Sequence, residues 1–366
     1  MATEELINEL QSFGVRLVDP SAGAQSRRGG AGPSDHKALT IDGMTVMAPV
    51  HTAPAFESPY LVEKPDAFGR SRVIRDGVAL ADVSFPVAPK FYGLKTSEGV
   101  PYGQIATLHG RDVLATTVLQ TCIRYQSRTK TCQFCAIGQS LAAGRTIAHK
   151  TPAQLGEVAE AAVRLDGVRH MVMTTGTPKG SDRGAAVLAE SAAGVKARVN
   201  LPIQVQCEPP DDDAWFARMR EAGADALGMH LEAVSEDVRR RIMPGKATVS
   251  VDRYFAAFEA AVPVFGRGQV STYILAGLGD APEDILGVCE RLVAIGVYPF
   301  VVPFTPISGT PLESHPTPKP AFMASILGPL SRMLVESGLK SVEVKAGCAK
   351  CGACSALSTY ERAAQQ

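Results

Sequence analysis

Eight cysteines stand in a chain of 366 residues, and six of them fall into two tight groups. The first is Cys122-x9-Cys132-x2-Cys135, in QTCIRYQSRTKTCQFC, and the second is Cys348-x2-Cys351-x2-Cys354. The start, MATEELINELQSFG, is acidic and amphipathic rather than a basic-then-apolar leader, so reduced thiols acting as metal ligands are expected instead of disulfides. A closed structural zinc site takes four Cys or His ligands, and the nearest histidine downstream of the first group is His149. Three thiolates suit a 4Fe-4S cluster with one iron left open for another ligand. The alternative is a zinc knuckle completed from a distance. Cys207 and Cys289 stand alone and read as small buried hydrophobes.

The first group needs elements to hold it, and the sequence around it alternates strand and helix. VLATTVLQTC, HMVMTTG, PIQVQCEPP, DALGMHLEA, QVSTYILAGLGD and YPFVVPFTPI are candidate parallel strands. Thr151-Pro152-Ala153-Gln154 is a helix start with a capping box, and Asp211 and Ser235 offer two further caps. Along the third strand the pleat puts Gln204, Gln206 and Glu208 on one face, and with that face turned inward Cys207 points to the helices. His230 and Glu232 share a face two residues apart. Of the seven histidines only His230 is assigned to a site; His109 and the others are not. Before this region, Asp42-Gly43 and Asp76-Gly77 each sit between strand-like runs and predict hairpins. Residues 21–35, rich in Gly, Ser and Arg, predict a loop, and a helix is expected over roughly 319–337. The expected fold is α/β, a partial parallel (β/α)6 TIM-type barrel over 106–338. A β-rich N-terminal extension over 1–105 precedes it and a cysteine-rich tail over 339–366 follows.

A three-cysteine loop after the first strand, with an aromatic, Phe134, just before the last cysteine, resembles the radical S-adenosylmethionine superfamily. The x9 spacing is wider than the superfamily's usual x3 and is similar to that of the catalytic subunit of Elongator. The resemblance extends over about 110–312 and implies a role for each later strand end. Thr175, Gly176 and Thr177 stand at the turn that meets the cofactor's amino group, with Gln206 and Glu208 as further cofactor-side wall residues. MHLEAVSEDVRRRIMPGK is similar to a stretch of biotin synthase and lipoyl synthase, which implies Glu232 on the ribose, His230 beside it, and Arg240 or Arg241 on the methionine carboxylate. Gly277 opens the Gly-rich end of the fifth strand, and the sixth ends in Pro306–Leu312, close to biotin synthase. The tail group, flanked by Gly347 and Gly352, resembles the compact half of a bacterial ferredoxin motif and implies a second iron–sulfur cluster at or near the open end of the barrel; zinc or a redox tail is the alternative. Its fourth ligand is open: Cys207, Cys289, a non-thiolate group, solvent or substrate. The whole combination resembles a radical-enzyme family found in nitrilase-containing bacterial gene clusters, which names no substrate.

The implied chemistry is reductive cleavage of S-adenosylmethionine to a 5′-deoxyadenosyl radical, with the protein orienting substrate and excluding water and oxygen. The 37 basic and 37 acidic residues cancel, which favours a small-molecule substrate over nucleic acid or a membrane surface. An electron donor such as flavodoxin or ferredoxin is the expected partner, and the expected location is cytoplasmic. Radical modification of RNA or of a peptide, and a non-catalytic metal-binding scaffold, are the competing readings.

Overall fold

The computed structural model describes residues 2–21, 34–125, 127 and 129–365. Most of the loop expected over 21–35 lies outside the described residues.

Both Asp-Gly steps turn hairpins. His36–Ile41 pairs antiparallel with Met44–Pro49, and Arg70–Arg75 with Val78–Ser84. In each, the Asp and the Gly have positive φ (49° and 76°; 51° and 78°), the geometry whose twist matches the flanking strands. These four strands join Arg16–Leu17 and Tyr60–Val62 in one six-stranded sheet. The helix Thr3–Phe13 packs beside it, burying Leu6, Ile7 and Leu10.

The second sheet carries the strand–helix alternation. Six parallel strands lie side by side in chain order: Val113–Thr117, His170–Thr174, Ile203–Gln206, Ala226–Gly228, Val270–Ala276 and Tyr298–Pro303. A short strand not foreseen from the sequence, Thr107–His109, adds to the first edge antiparallel. The first and last strands do not pair, so the sheet is a curled part of a barrel and not a closed one. Helices Pro152–Asp166, Ala185–Lys196, Val251–Phe265 and Pro282–Ala294 cover its outside. The outward faces form one apolar core in which Cys207 and Cys289 are buried, as expected for lone cysteines.

Local start signals divide by outcome. Thr151 and Gln154 form the full reciprocal capping box. Asp211 does not cap: it pairs with Arg183, while Asp212 accepts from the Ala214 amide at the actual start of Ala214–Glu221. Ser235 does precede Glu236–Ile242, but its hydroxyl donates to Asp280 Oδ1 instead of accepting from the helix. The late helix runs Pro320–Glu336.

After that helix the chain passes under the barrel. Gly347 donates to His170 Nδ1 at the start of the second strand, and the Cys348 amide donates to Gln204 Oε1 at the start of the third. The tail cysteines thus sit toward the strand starts. The expected return to the open rim is not made, because the run SVEVKAG, expected to be extended, turns through a short 3-10 helix at Ser341–Glu343. Ala346, Ala349, Ala353 and Ala356 are fully buried there, small enough to let the backbone press against the sheet. The N-terminal part holds the tail from the other side: the Met47 amide and Gln11 Nε2 both donate to the Ala353 carbonyl, at 2.8 and 3.0 Å.

Candidate active site

The first cysteine group lies on the loop that leaves the first parallel strand, and distant residues shape that loop. The Gly176 amide donates to Leu119 O and the Ile123 amide to Thr177 O, stitching the loop to the end of the second strand. A Cβ at Gly176 would stand 2.2 Å from Thr121 O, so only glycine permits the approach. Arg124, two residues after Cys122, forms a bidentate pair with Glu208 at 2.9 and 2.6 Å, and Thr177 Oγ1 donates to the same carboxylate at 2.9 Å. Both members of that pair are buried, so each needs the other to offset its lost hydration. On the far side the Gln133 amide donates to Ile242 O and the Leu312 amide to Gln133 O. Cys132 and Phe134 pack against a second apolar cluster of Ala233, Val238, Ile242, Met243, Leu278 and Phe304, separate from the main core.

Glu232 lies just beyond the fourth strand with φ at +65°, a conformation rare for a non-glycine residue. Its Oε2 accepts from Lys246 Nζ at 2.8 Å. Burial opposes the Lys246 charge most strongly, but the Glu232 carboxylate, joined by Tyr254, Glu208 and Cys132, holds the amine protonated above its ordinary range. Burial also pushes the Cys132 thiol well up and the Cys135 thiol to about 11, with Glu232 adding to both. Such thiols ionise when a metal takes the sulfur, and a set of three thiols backed by apolar side chains suits an iron–sulfur cluster. Among the described residues, no three His, Cys, Asp or Glu side chains converge tightly enough to hold one single metal ion. A cluster distributes its thiolates over different irons.

A cavity of about 790 Å³ runs along the inside of the sheet. Phe134, Cys135, Thr175, His230 and Glu232 line it toward the strand ends, and Cys348, Cys351 and Cys354 line it toward the starts. His230 accepts from the Tyr273 amide at 3.2 Å, and burial lowers its pKa to about 3, so its ring is neutral. Tyr273 hydrogen-bonds Cys354, and burial beside the three tail thiols raises its hydroxyl far above the usual phenol range.

The other residues named from the sequence divide, and of these Gln206 also lines the cavity. Gln206 reaches the tail, donating to Cys348 Sγ at 3.3 Å and to Gln204 Oε1. Glu208 and Thr177 are bound to the cysteine loop through Arg124, and Gly176 packs beneath it. Arg240 is 64% exposed and pairs with Glu236 and Asp237, a solvated helix face. Arg241 donates to Leu278 O at 3.1 Å. Gly277, with φ at +105°, packs against Pro318, and its carbonyl meets His315 Nε2. Four residues were missed: Arg124, Lys246, Tyr273 and Lys150, whose ammonium is buried beside Thr117 O. Their partners are distant in sequence; the signals there to be read were the basic character of Arg124 inside the cysteine loop and Lys246 at the end of MHLEAVSEDVRRRIMPGK.

Residues 129–292 match the family model described as the Radical SAM superfamily. The chain is 33% identical over 120 residues to bacteriochlorophyllide c C-7(1)-hydroxylase of Chlorobaculum limnaeum, covering 32% of this chain and 30% of that protein. It is 28% identical over 172 residues to lipoyl synthase of Geobacter sp. (strain M21), covering 46% and 55%. The matches therefore span between about a third and about half of these relatives' lengths. Among solved structures, methylornithine synthase is 19% identical, covers 68% of this chain and 72% of that one, and superposes with a TM-score of 0.46. Residues 129–292, which carry Cys132, Cys135 and four of the six parallel strands, are thus the part of this chain that matches the Radical SAM superfamily.

Proposed function

We propose that Cys122, Cys132 and Cys135 hold the catalytic 4Fe-4S cluster and that the enzyme acts on a small metabolite inside the barrel, between this cluster and a second iron–sulfur centre on Cys348, Cys351 and Cys354. The observation that carries the reading is the single cavity lined by Cys135 near one end and by all three tail cysteines near the other. Its volume, about 790 Å³, fits a small molecule and falls in the range of ordinary ligand pockets. When bound, S-adenosylmethionine and the reduced cluster supply a 5′-deoxyadenosyl radical.

The chain's own residues have separable tasks in this reading. Glu232, fixed by Lys246, presents a carboxylate that can accept two hydrogen bonds from ribose hydroxyls. Thr175 and Phe134 wall the cofactor side, and the apolar cluster around Phe134 keeps water from the cysteine loop. Arg124 and Glu208 set the loop's shape from below. Arg240 is left out of the site because its charge is already met at the surface. His230 and Tyr273 form the middle of the cavity wall, where a substrate would rest. An external reductant of the flavodoxin or ferredoxin kind delivers the electron.

The test is substrate-dependent release of 5′-deoxyadenosine by the anaerobic, reduced protein, challenged with panels of small metabolites, peptides and RNA. Release stimulated by a metabolite supports the reading. Stimulation by RNA or peptide alone would overturn the substrate class, and no cleavage of S-adenosylmethionine under any condition would overturn the catalytic assignment.

A further inference from the structure

Three cysteines at the tail leave a ligand position to be filled, and the residues around them nominate one. His109 ends the short antiparallel strand Thr107–His109, opposite Val113, and the following Gly110 turns the chain at φ +68°. Its Nε2 stands 3.9 Å from Cys354 Sγ, and that is the one polar contact of its ring among the described residues. Two other histidines lie near it, and both are engaged: His36 Nδ1 meets the Ser34 carbonyl, and His170 Nδ1 accepts from the Gly347 amide. His109 lines the same cavity as Cys348, Cys351 and Cys354.

The separation discriminates between kinds of site. A tetrahedral metal with sulfur at about 2.3 Å and imidazole nitrogen at about 2.0 Å puts the two donors about 3.5 Å apart. The observed 3.9 Å is within a few tenths of an ångström of that spacing. Protein ligands of a cubic four-iron cluster each take their own iron and stand farther apart. A two-iron cluster needs four protein ligands, two on each iron, and imidazole can replace thiolate on one of them. Cys348 and Cys351, one helical turn apart, and Cys354 provide three.

We propose that His109 is the fourth protein ligand of the tail centre and shares one iron with Cys354, making that centre a two-iron cluster held by three cysteines and one histidine. The inference rests on the reading that the tail binds iron and sulfide at all, and the two can fail separately.

The experiment uses the full-length Cys122/Cys132/Cys135→Ala variant, purified anaerobically with natural-abundance or ¹⁵N-labelled histidine, so that only the tail centre is seen. About two irons and two sulfides per chain are expected, with an imidazole nitrogen coupling in the pulsed electron paramagnetic resonance of the reduced centre that changes with the label. His109→Cys should keep the cluster, lose the nitrogen coupling and lower the reduction potential, since thiolate replaces imidazole. Should the His109→Cys chain misfold, the isotope effect in the unaltered His109 chain decides alone. About four irons, or two irons with no histidine coupling, would overturn His109 as a ligand while leaving the tail cluster standing. No iron or sulfide bound to the tail would overturn the cluster and the ligand together.

Discussion

The two cysteine groups are held in place by opposite means. Cys122, Cys132 and Cys135 sit on a long loop with little regular structure, and its shape comes from residues far away in sequence: Glu208, Thr177, Ile242 and Leu312. Cys348, Cys351 and Cys354 sit on one short helical turn and the residues after it, so their relative positions come from local backbone. What the tail lacks is its own location, which it takes from contacts to Gln204, His170, Gln11 and Met47. The first group is placed with certainty but shaped at a distance; the second is shaped locally and placed at a distance.

The largest expected effect breaks the comparison outright. Replacing Cys122, Cys132 and Cys135 together by Ala abolishes reductive cleavage of S-adenosylmethionine, measured as 5′-deoxyadenosine, while iron at the tail remains. The mirror experiment, Cys348/Cys351/Cys354→Ala, leaves cleavage in place and removes product formation. Equal loss of cleavage in both variants would erase the functional distinction between the groups.

Next in size is Arg124→Met. It leaves the Glu208 carboxylate buried without its cation, which is expected to cost about 3–5 kcal/mol in denaturant unfolding and, on the proposed reading, to lower iron bound by the first cysteine group but not by the tail. Lys150 offers a smaller, pH-dependent test at the same end. Its ammonium is buried against the Thr117 carbonyl, and burial lowers its pKa from 10.5 to about 8. The unfolded chain therefore binds the proton more tightly, so stability rises with pH between about 8 and 10.5. Lys150→Met should remove that rise, about 1–3 kcal/mol, when its unfolding curves are set against those of the parent across this window. The smallest effect belongs to Gln11→Ala, which takes one of two donors from the Ala353 carbonyl. A loss of about 1 kcal/mol is expected, with hydrogen exchange faster in the tail and unchanged in the loop of Cys122, Cys132 and Cys135.

Legibility in the sequence follows the range of the interactions. Asp42-Gly43 and Asp76-Gly77 were readable because positive φ at both turn residues is a property of the pair itself. The Thr151 capping box and the parallel strands were readable for the same reason: each signal is complete within a few residues. Asp211 was misread because three consecutive aspartates compete for one helix start, and an Arg on another element decides which is left. Gln206 and Glu208 face inward, as the pleat of their strand foretells, but the partners they find there are not local. One reaches a tail cysteine 142 residues away and the other an arginine 84 residues back. Nothing local announces either partner. His109 was passed over because its strand, three residues long, has no period to detect.

The Gly347 contact and the small buried alanines around it bear on how this protein is made. The tail occupies the underside of a sheet whose six parallel strands all precede it in the chain, and it is pinned there by Gln11 and Met47, which lie before all of those strands. At about 5–20 residues per second, every strand is available to fold before the piece that closes the lower end leaves the ribosome. The barrel interior is consequently floorless during that interval and closes only when residues 346–356 reach Gln11 and Met47, which precede every one of those strands.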